Sequence, residues 1–348
     1  MSQLRQGRPR AVDVARLAGV SPKTVSNVVN GYAHVSADLR QRVQAAIDQL
    51  NYVPNTMART LRTGRTGIIA LALPDLSFPY FAEIAREVTA AAEELGFTIL
   101  IDQTEGRPAR ERQIASGLRP HAIDGLIFSP LAMTAGEIAV AAGSTPMVLL
   151  GERDRPADLD HVAIDNVEAA RVATRHLLDA GRRRVAVIGA PVDARLGSGE
   201  LRVDGYRAAL AECGVVPDPH LVIPSRHLLR SEGVLGMRRL LALDNPPDAV
   251  FCCNDLLALG AMYEARRQGL SVPDDIAFAG FDDVEDGQYS NPTLTTISPD
   301  KRGIARTAVQ LLVDRLLGRR TGDEQVVARF DLVVRESSGG RPPDVPDA

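Results

Sequence analysis

The sequence predicts an α/β protein with an N-terminal helix-turn-helix headpiece followed by two doubly wound α/β subdomains. Three observations predict it. At 348 residues the chain exceeds what one small core organises. Helical start and stop signals crowd the first 50 residues, where the charge is strongly positive. From Thr66 onward, short apolar runs alternate with helical patterns, the signature of parallel sheets with right-handed crossovers.

Val12 to Asn30 reads as two short helices around a tight turn. Val12 and Ala15 give the first helix an apolar side, and Gly19 supplies the unrestricted backbone of a sharp turn, which Val20 plugs. Ser21 is an N-cap and Pro22 takes the first helical position, where its missing N–H is harmless. Val25, Val28 and Val29 are expected inward, with Lys23, Thr24, Ser26 and Asn27 outward. A short helix presenting small polar and basic side chains suits the major groove of DNA. Gly31–His34 is a loop in which His34 either contacts phosphate or faces solvent. Ser36 then caps a third helix to about Leu50, with Leu39, Val43, Ala46, Ile47 and Leu50 at helical spacing.

Residues 55–62 suffice for two helical turns, too short to persist alone in water. Met57 and Leu61 share a face beside Arg59 and Arg62. On spacing alone this is either a linker or a minor-groove helix whose leucine wedges between base steps.

Gly67–Leu73 is an apolar run suited to a strand buried on both faces, and a helix follows from about Phe81 to Leu95. The unit recurs at Thr98–Ile101, Gly125–Phe128, Met147–Leu150, Arg184–Ile188, Ala249–Cys252 and Ile276–Ala279, and Val326–Val334 is read as a last strand. The expected domains are 1–50, a hinge over 51–66, and a sensor over 67–340. Its first subdomain spans about 67–165 and 297–325, its second about 166–296 and 326–340.

The net charge of −4 hides an asymmetry. Residues 1–65 hold nine Arg and one Lys against three Asp, a net +7, which leaves −11 on the rest. A basic head on an acidic body points to a polyanionic partner for the head alone. No apolar run is long enough to span a membrane, no secretory signal opens the chain, and three cysteines make neither a disulfide framework nor a zinc site. A cytoplasmic protein without metal or cofactor is expected. No dinucleotide-binding, Walker, zinc-protease or nucleophile-elbow motif is present, so catalysis is not expected.

Ligands of doubly wound sheets bind beyond the carboxyl ends of the strands. There the chain places Pro74–Phe81, aromatic for a protein only 4% aromatic, then Asn254-Asp255 and Phe281-Asp282-Asp283, while Arg202 opens a helix in the second half. Aromatic faces with Asp, Asn and Arg make a pocket for a polyhydroxylated or heterocyclic ligand. Asn254 reads equally as a cap of the helix Asp255–Gln268, whereas Asp283 is read as a loop carboxylate rather than a ligand-binder.

Taken together, Val14–Ser21 with Thr24-Val-Ser26, Asn51–Asn55 with Leu61-Arg62, Leu73-Pro-Asp75, Asp165-Asn166, Asn254-Asp255, Gly280–Asp283 and Leu294–Ile297 make the chain resemble the lactose/galactose repressor (LacI/GalR) family, from about Ala11 to Ser338. The resemblance implies a repressor binding a pseudo-palindromic DNA operator as a homodimer. It also implies a small-molecule effector, a sugar or sugar derivative, held between two periplasmic-binding-protein-like subdomains. The alternatives are a purine or nucleoside effector, or a sugar-binding protein with no role on DNA. By match to the family, Pro22, Lys23 and Asn27 read bases and Leu61 is the wedge, with Arg62 beside it. The candidate DNA contacts are Ser21, Pro22, Lys23, Thr24, Ser26, Asn27, Asn30, His34, Asn55, Ala58, Leu61 and Arg62. The candidate effector contacts are Phe78, Tyr80, Phe81, Arg202, Asn254 and Asp282. Asn27 stands where many members carry a guanine-reading arginine, and an amide there suits adenine. Gly151 and Pro299 stand where sugar-responsive members often place a polar ligand-binder. The chain ends in a Gly/Pro tail in place of the family's tetramerisation helix, which implies a dimer.

Overall fold

The computed structural model describes residues 9–29, 35–52, 65–116, 123–143, 145–151, 156, 158–192 and 198–340. The chain divides into two compact units, 1–66 and 67–348.

The first unit contains helices α1 (Ala11–Ala18), α2 (Pro22–Val29) and α3 (Ala37–Leu50). Helix α1 ends at Gly19 with φ 66°, a left-handed cap that lets the chain reverse into α2. The Ser21 hydroxyl accepts from the Thr24 N–H at 3.1 Å, and Ser36 accepts from the Leu39 N–H at 3.4 Å. Val14, Ala15, Ala18, Val25, Val28, Val43 and Ala46 form the core, and Arg42 ties α3 to the end of α1 by donating to the Ala18 carbonyl at 2.8 Å. Two expectations are corrected. Val12 is 47% exposed, because the inward stripe of α1 runs through Ala11, Val14, Ala15 and Ala18, which leaves Val12 on its flank. Val29 is 37% exposed, as it closes α2 beyond the turn that packs on the other helices.

The second unit contains β1 (Ile68–Leu73), α4 (Pro79–Glu94), β2 (Thr98–Gln103), α5 (Pro108–Ala115), β3 (Gly125–Phe128), α6 (Ala135–Ala142), β4 (Met147–Leu150), β5 (Asp160–Ile164), α7 (Asn166–Asp179) and β6 (Val185–Pro191). It continues with α8 (Gly199–Glu212), β7 (Val222–Ser225), α9 (Arg230–Leu241), β8 (Ala249–Cys252), α10 (Asp255–Arg267), β9 (Ala277–Phe281), α11 (Glu285–Gln288), β10 (Thr295–Pro299), α12 (Lys301–Leu316), β11 (Gln325–Ala328) and β12 (Phe330–Val333).

Two six-stranded sheets result, in the orders β11-β5-β4-β3-β1-β2 and β12-β10-β9-β8-β6-β7. The first is parallel throughout, and in the second only the β10–β12 pair is antiparallel. Continuous apolar runs such as Ile69–Leu73 and Ala249–Cys252 are fully buried because helices cover both faces of each sheet. Strand β2, at an edge, leaves Leu100 and Ile101 exposed.

The single strand expected over Val326–Val334 is two. β11 pairs with β5 in the first sheet, and β12 with β10 in the second, so the chain changes lobe at Arg329. The alternation of apolar residues runs through the crossing, which makes two short strands read as one. The chain also crosses between β5 and α7, and again at Asp300, where β10 of the second sheet gives way to α12 packed on the first lobe. The described lobes thus exchange chain three residues later than Ile297, and 325–328 belongs to the first lobe. Strands β5, β7 and β10, not singled out from the sequence, are short or carry polar residues such as Asp160 and Thr295.

Candidate functional site

Both sheets share the core strand order 2-1-3-4-5, so each has a topological switch point, β1/β3 in the first and β6/β8 in the second. Loops leave a switch point in opposite directions and open a crevice at the carboxyl ends of the strands. A cavity of about 640 Å³ lies there, walled by the loops after β1, β2 and β3 from one lobe and after β7, β8 and β9 from the other.

The first lobe supplies an apolar wall. Phe78 caps α4, Pro79 takes its first turn, and the rings of Phe78, Tyr80 and Phe81 meet edge to face, with centroids 6.4 Å apart for Phe78–Phe81 and 5.3 Å for Tyr80–Phe81. The loop beneath them is braced: the Asp75 carboxylate accepts from the Ser77 N–H at 2.8 Å, and Gln103 accepts from the Leu76 N–H at 3.2 Å. On the other side, fully buried Glu111 accepts from the N–H groups of Leu131, Ala132 and Met133 at 2.8–2.9 Å, which fixes the cavity loop after β3.

The second lobe supplies the polar floor. Arg202, near the start of α8, is 8% exposed and lies over the Phe281 ring at 3.6 Å from its centroid. Its Nε donates to Asn166 at 2.7 Å and one terminal nitrogen to the Cys253 carbonyl, while the other stands 3.7 Å from Asp282. That last separation is too long for a hydrogen bond, so the carboxylate keeps acceptor capacity for a ligand. Asp282 has φ 108°, a region that disfavours side chains, and its backbone N–H donates to the Ile297 carbonyl at 2.9 Å. Burial pushes its carboxyl up to about 6, against the pull of Arg202 and Lys301. Asn254 is a helix cap that also lines the cavity. Its oxygen caps α10 by accepting from the Leu257 N–H at 2.9 Å, and its amide donates to the Leu228 carbonyl at 3.0 Å while it lines the cavity.

All six effector candidates, Phe78, Tyr80, Phe81, Arg202, Asn254 and Asp282, thus line one cavity. Asp283 does not; it is paired with Arg335 at 2.7 Å. Gly151 and Pro299 do line it, and Gly151 has φ 92°, a backbone conformation that glycine adopts without strain. Sequence reasoning missed Gln103, Ser129, Arg226 and His227. Gln103 ends β2 and Ser129 follows β3, so both were open to discovery by the same rule, whereas Arg226 and His227 follow β7, a four-residue strand interrupted by Pro224.

In the headpiece, Ser21, Pro22 and Lys23 are exposed at the start of α2, with Thr24, Ser26 and Asn27 half-buried behind them. The Thr24 hydroxyl is hydrogen-bonded to Ser21 at 2.9 Å. Asn30, His34, Asn55, Ala58, Leu61 and Arg62 lie outside the described residues.

Residues 12–55 match the family described as bacterial regulatory proteins, lacI family, and residues 174–338 match the periplasmic binding protein-like domain. The HTH-type transcriptional repressor CytR of Escherichia coli K12 is 33% identical over 332 residues, covering 95% of this chain and 96% of its own. The chain belongs to the LacI family. It is a DNA-binding transcriptional regulator whose sensor is built for a small-molecule effector. Among solved structures, the lac repressor dimer bound to operator and the anti-inducer ONPF superposes with a TM-score of 0.83 at 27% identity, covering 95% of this chain and 99% of that one. The complex of the regulator CelR with cellobiose gives 0.71 at 32% identity, covering 95% and 100%. This LacI-family chain shares with them the order of headpiece and two-lobed sensor.

Proposed function

We propose that the protein is a repressor that binds a pseudo-palindromic operator as a homodimer and changes its DNA affinity when a sugar or sugar derivative enters the cleft. The carrying observation is the cleft's chemistry. A polar floor of Arg202, Asp282 and Asn254 faces an aromatic wall of Phe78, Tyr80 and Phe81. A pyranose ring offers complementary surfaces, with hydroxyls for the floor and an apolar C–H face for the rings. In this reading Ser21, Pro22, Lys23, Thr24, Ser26 and Asn27 approach the major groove. Asn30 and His34 meet the backbone, while Asn55, Ala58, Leu61 and Arg62 form the central minor-groove contact. Dimerisation is supported by apolar surface in both lobes, Leu100 and Ile101 on the edge strand β2 and Tyr263 on α10, of the kind a second copy covers.

The test has two stages. Operators are selected from random DNA with the full-length protein, and the bound duplex is then titrated with mono- and disaccharides, cellobiose among them, by fluorescence anisotropy. An inverted repeat and a sugar that shifts its affinity are expected. Selection of no defined site refutes the regulator's operator assignment, and a site indifferent to every sugar while responding to nucleosides refutes the effector class.

A further inference from the structure

We propose that Lys301 is a positioning residue: it holds the Asp282–Asp283 loop of the second lobe against the first lobe and so sets how far the ligand cleft opens. Lys301 starts α12, which packs on α4 and on the first sheet. Its ammonium is paired with Glu83 on α4, one turn beyond the cavity residues Tyr80 and Phe81. From that anchorage it donates across the lobe boundary to the Asp283 carbonyl at 2.8 Å. Both charged partners are largely buried, with side chains 13% and 23% exposed.

The far side of the contact is rigid. Asp283 gives its carboxylate to Arg335 at 2.7 Å and its N–H to the Thr296 hydroxyl at 3.4 Å, both within the second lobe. Asp282 and Asp283 hold φ values of 108° and 48°, which persist only where the surroundings impose them. A ligand that moves Asp282 therefore moves a braced loop, and the compliant element is the Lys301 contact. Opening the cleft there removes an acceptor from a buried ammonium, which water replaces poorly. The contact consequently favours closure and links occupancy at Asp282 to α4.

The inference rests on the reading of the cleft as the effector site, but not on DNA binding. Its test is a distance measurement on full-length protein without ligand. Dyes are attached at Val140→Cys on α6 and Val216→Cys after α8, residues that are 83% and 86% exposed, one in each lobe. Exposed Cys213 is replaced by Ser, while Cys252 and Cys253 are fully buried, their thiols pushed up by burial, and escape labelling. Lys301→Met is expected to shift or broaden the single-molecule FRET distance by roughly 2 Å or more, the scale of a domain rearrangement. Lys301→Arg restores the parent distance, and Glu83→Gln shifts it in the same direction as Lys301→Met. A Lys301→Met protein with the parent's far-UV CD and the parent's distance overturns the proposal. So does a Lys301→Arg protein displaced as far as Lys301→Met, since volume rather than charge would then matter. Should Lys301→Met fail to fold, Glu83→Gln decides: an unchanged distance overturns the proposal. The same variants are assayed for operator binding. Loss of all specific DNA binding in the parent would refute the regulator reading and leave the distance result standing.

Discussion

Replacing Gly205 by Ala tests whether the close crossing of α7 and α8 holds Arg202 in place. A Cβ at Gly205 would stand 2.1 Å from the Val167 carbonyl oxygen and 2.8 Å from both the Ala170 Cβ and the Arg171 nitrogen. Carbon and carbonyl oxygen approach no closer than about 3.3 Å, so α8 must retreat by about 1 Å. Overpacking of this kind costs about 1–3 kcal/mol, while the better helix propensity of Ala returns up to about 1 kcal/mol. A net loss of about 1–2 kcal/mol follows. Arg202 lies one turn earlier on α8, with Nε only 2.7 Å from Asn166 on α7. A retreat of about 1 Å takes that bond beyond hydrogen-bonding range and weakens effector binding as well. Urea unfolding followed by far-UV CD measures the stability change. Gly136→Ala is the internal control, because Gly136 also lies in a helix and a Cβ added there would meet nothing within 4 Å. Up to about 1 kcal/mol of stabilisation is expected from that change. A Gly205→Ala protein as stable as Gly136→Ala would refute the reasoning.

Three further outcomes are expected. Asp282 titrates near 6 in the folded chain against 3.8 when unfolded, so the native state holds the extra proton between those values. Stability therefore declines as pH rises through that window, by at most about 3 kcal/mol, and Asp282→Asn removes this component. A pH–stability difference between the two proteins that is flat from pH 4 to 6 would contradict it. Glu111→Ala strips three backbone N–H groups of a charged acceptor and should lower stability by about 3 kcal/mol or more, with Glu111→Gln intermediate, measured by denaturant midpoint. Lys23→Ala, at an exposed position on α2, should weaken operator binding by about 1–3 kcal/mol while sparing unrelated DNA. Equal losses on both DNAs would assign Lys23 to phosphate instead.

Much of the fold was legible because its signals are local. Gly19, Ser21-Pro22 and Ser36 mark helix boundaries through the conformations and hydrogen bonds that each residue type prefers, and the structure uses them so. Buried parallel strands such as Gly125–Phe128 and Ala249–Cys252 need apolar residues on both faces, and their limits were found to the residue. Val12 and Val29 were misplaced because helical spacing alone fixes neither the exact direction of the inward stripe of α1 nor how far the packed face of α2 extends. The cavity's six expected residues were found through chain position at strand ends and through family resemblance. Arg226 and His227 were not, since β7 is only four residues long and Pro224 interrupts its apolar start.

Local chemistry in the chain alone settled the helical headpiece, the alternation that builds two parallel sheets, the charge split between head and body and the aromatic loop after the first strand. Tertiary structure decided what depends on residues far apart in sequence: the change of lobe at Arg329, the Asn254 bond to the Leu228 carbonyl, the three backbone groups gathered by Glu111, and the Lys301 contact to a carbonyl 18 positions away. The reason is physical. Propensity and periodicity act within a few residues, whereas a buried charge finds its partner only once the lobes have brought distant backbone within reach.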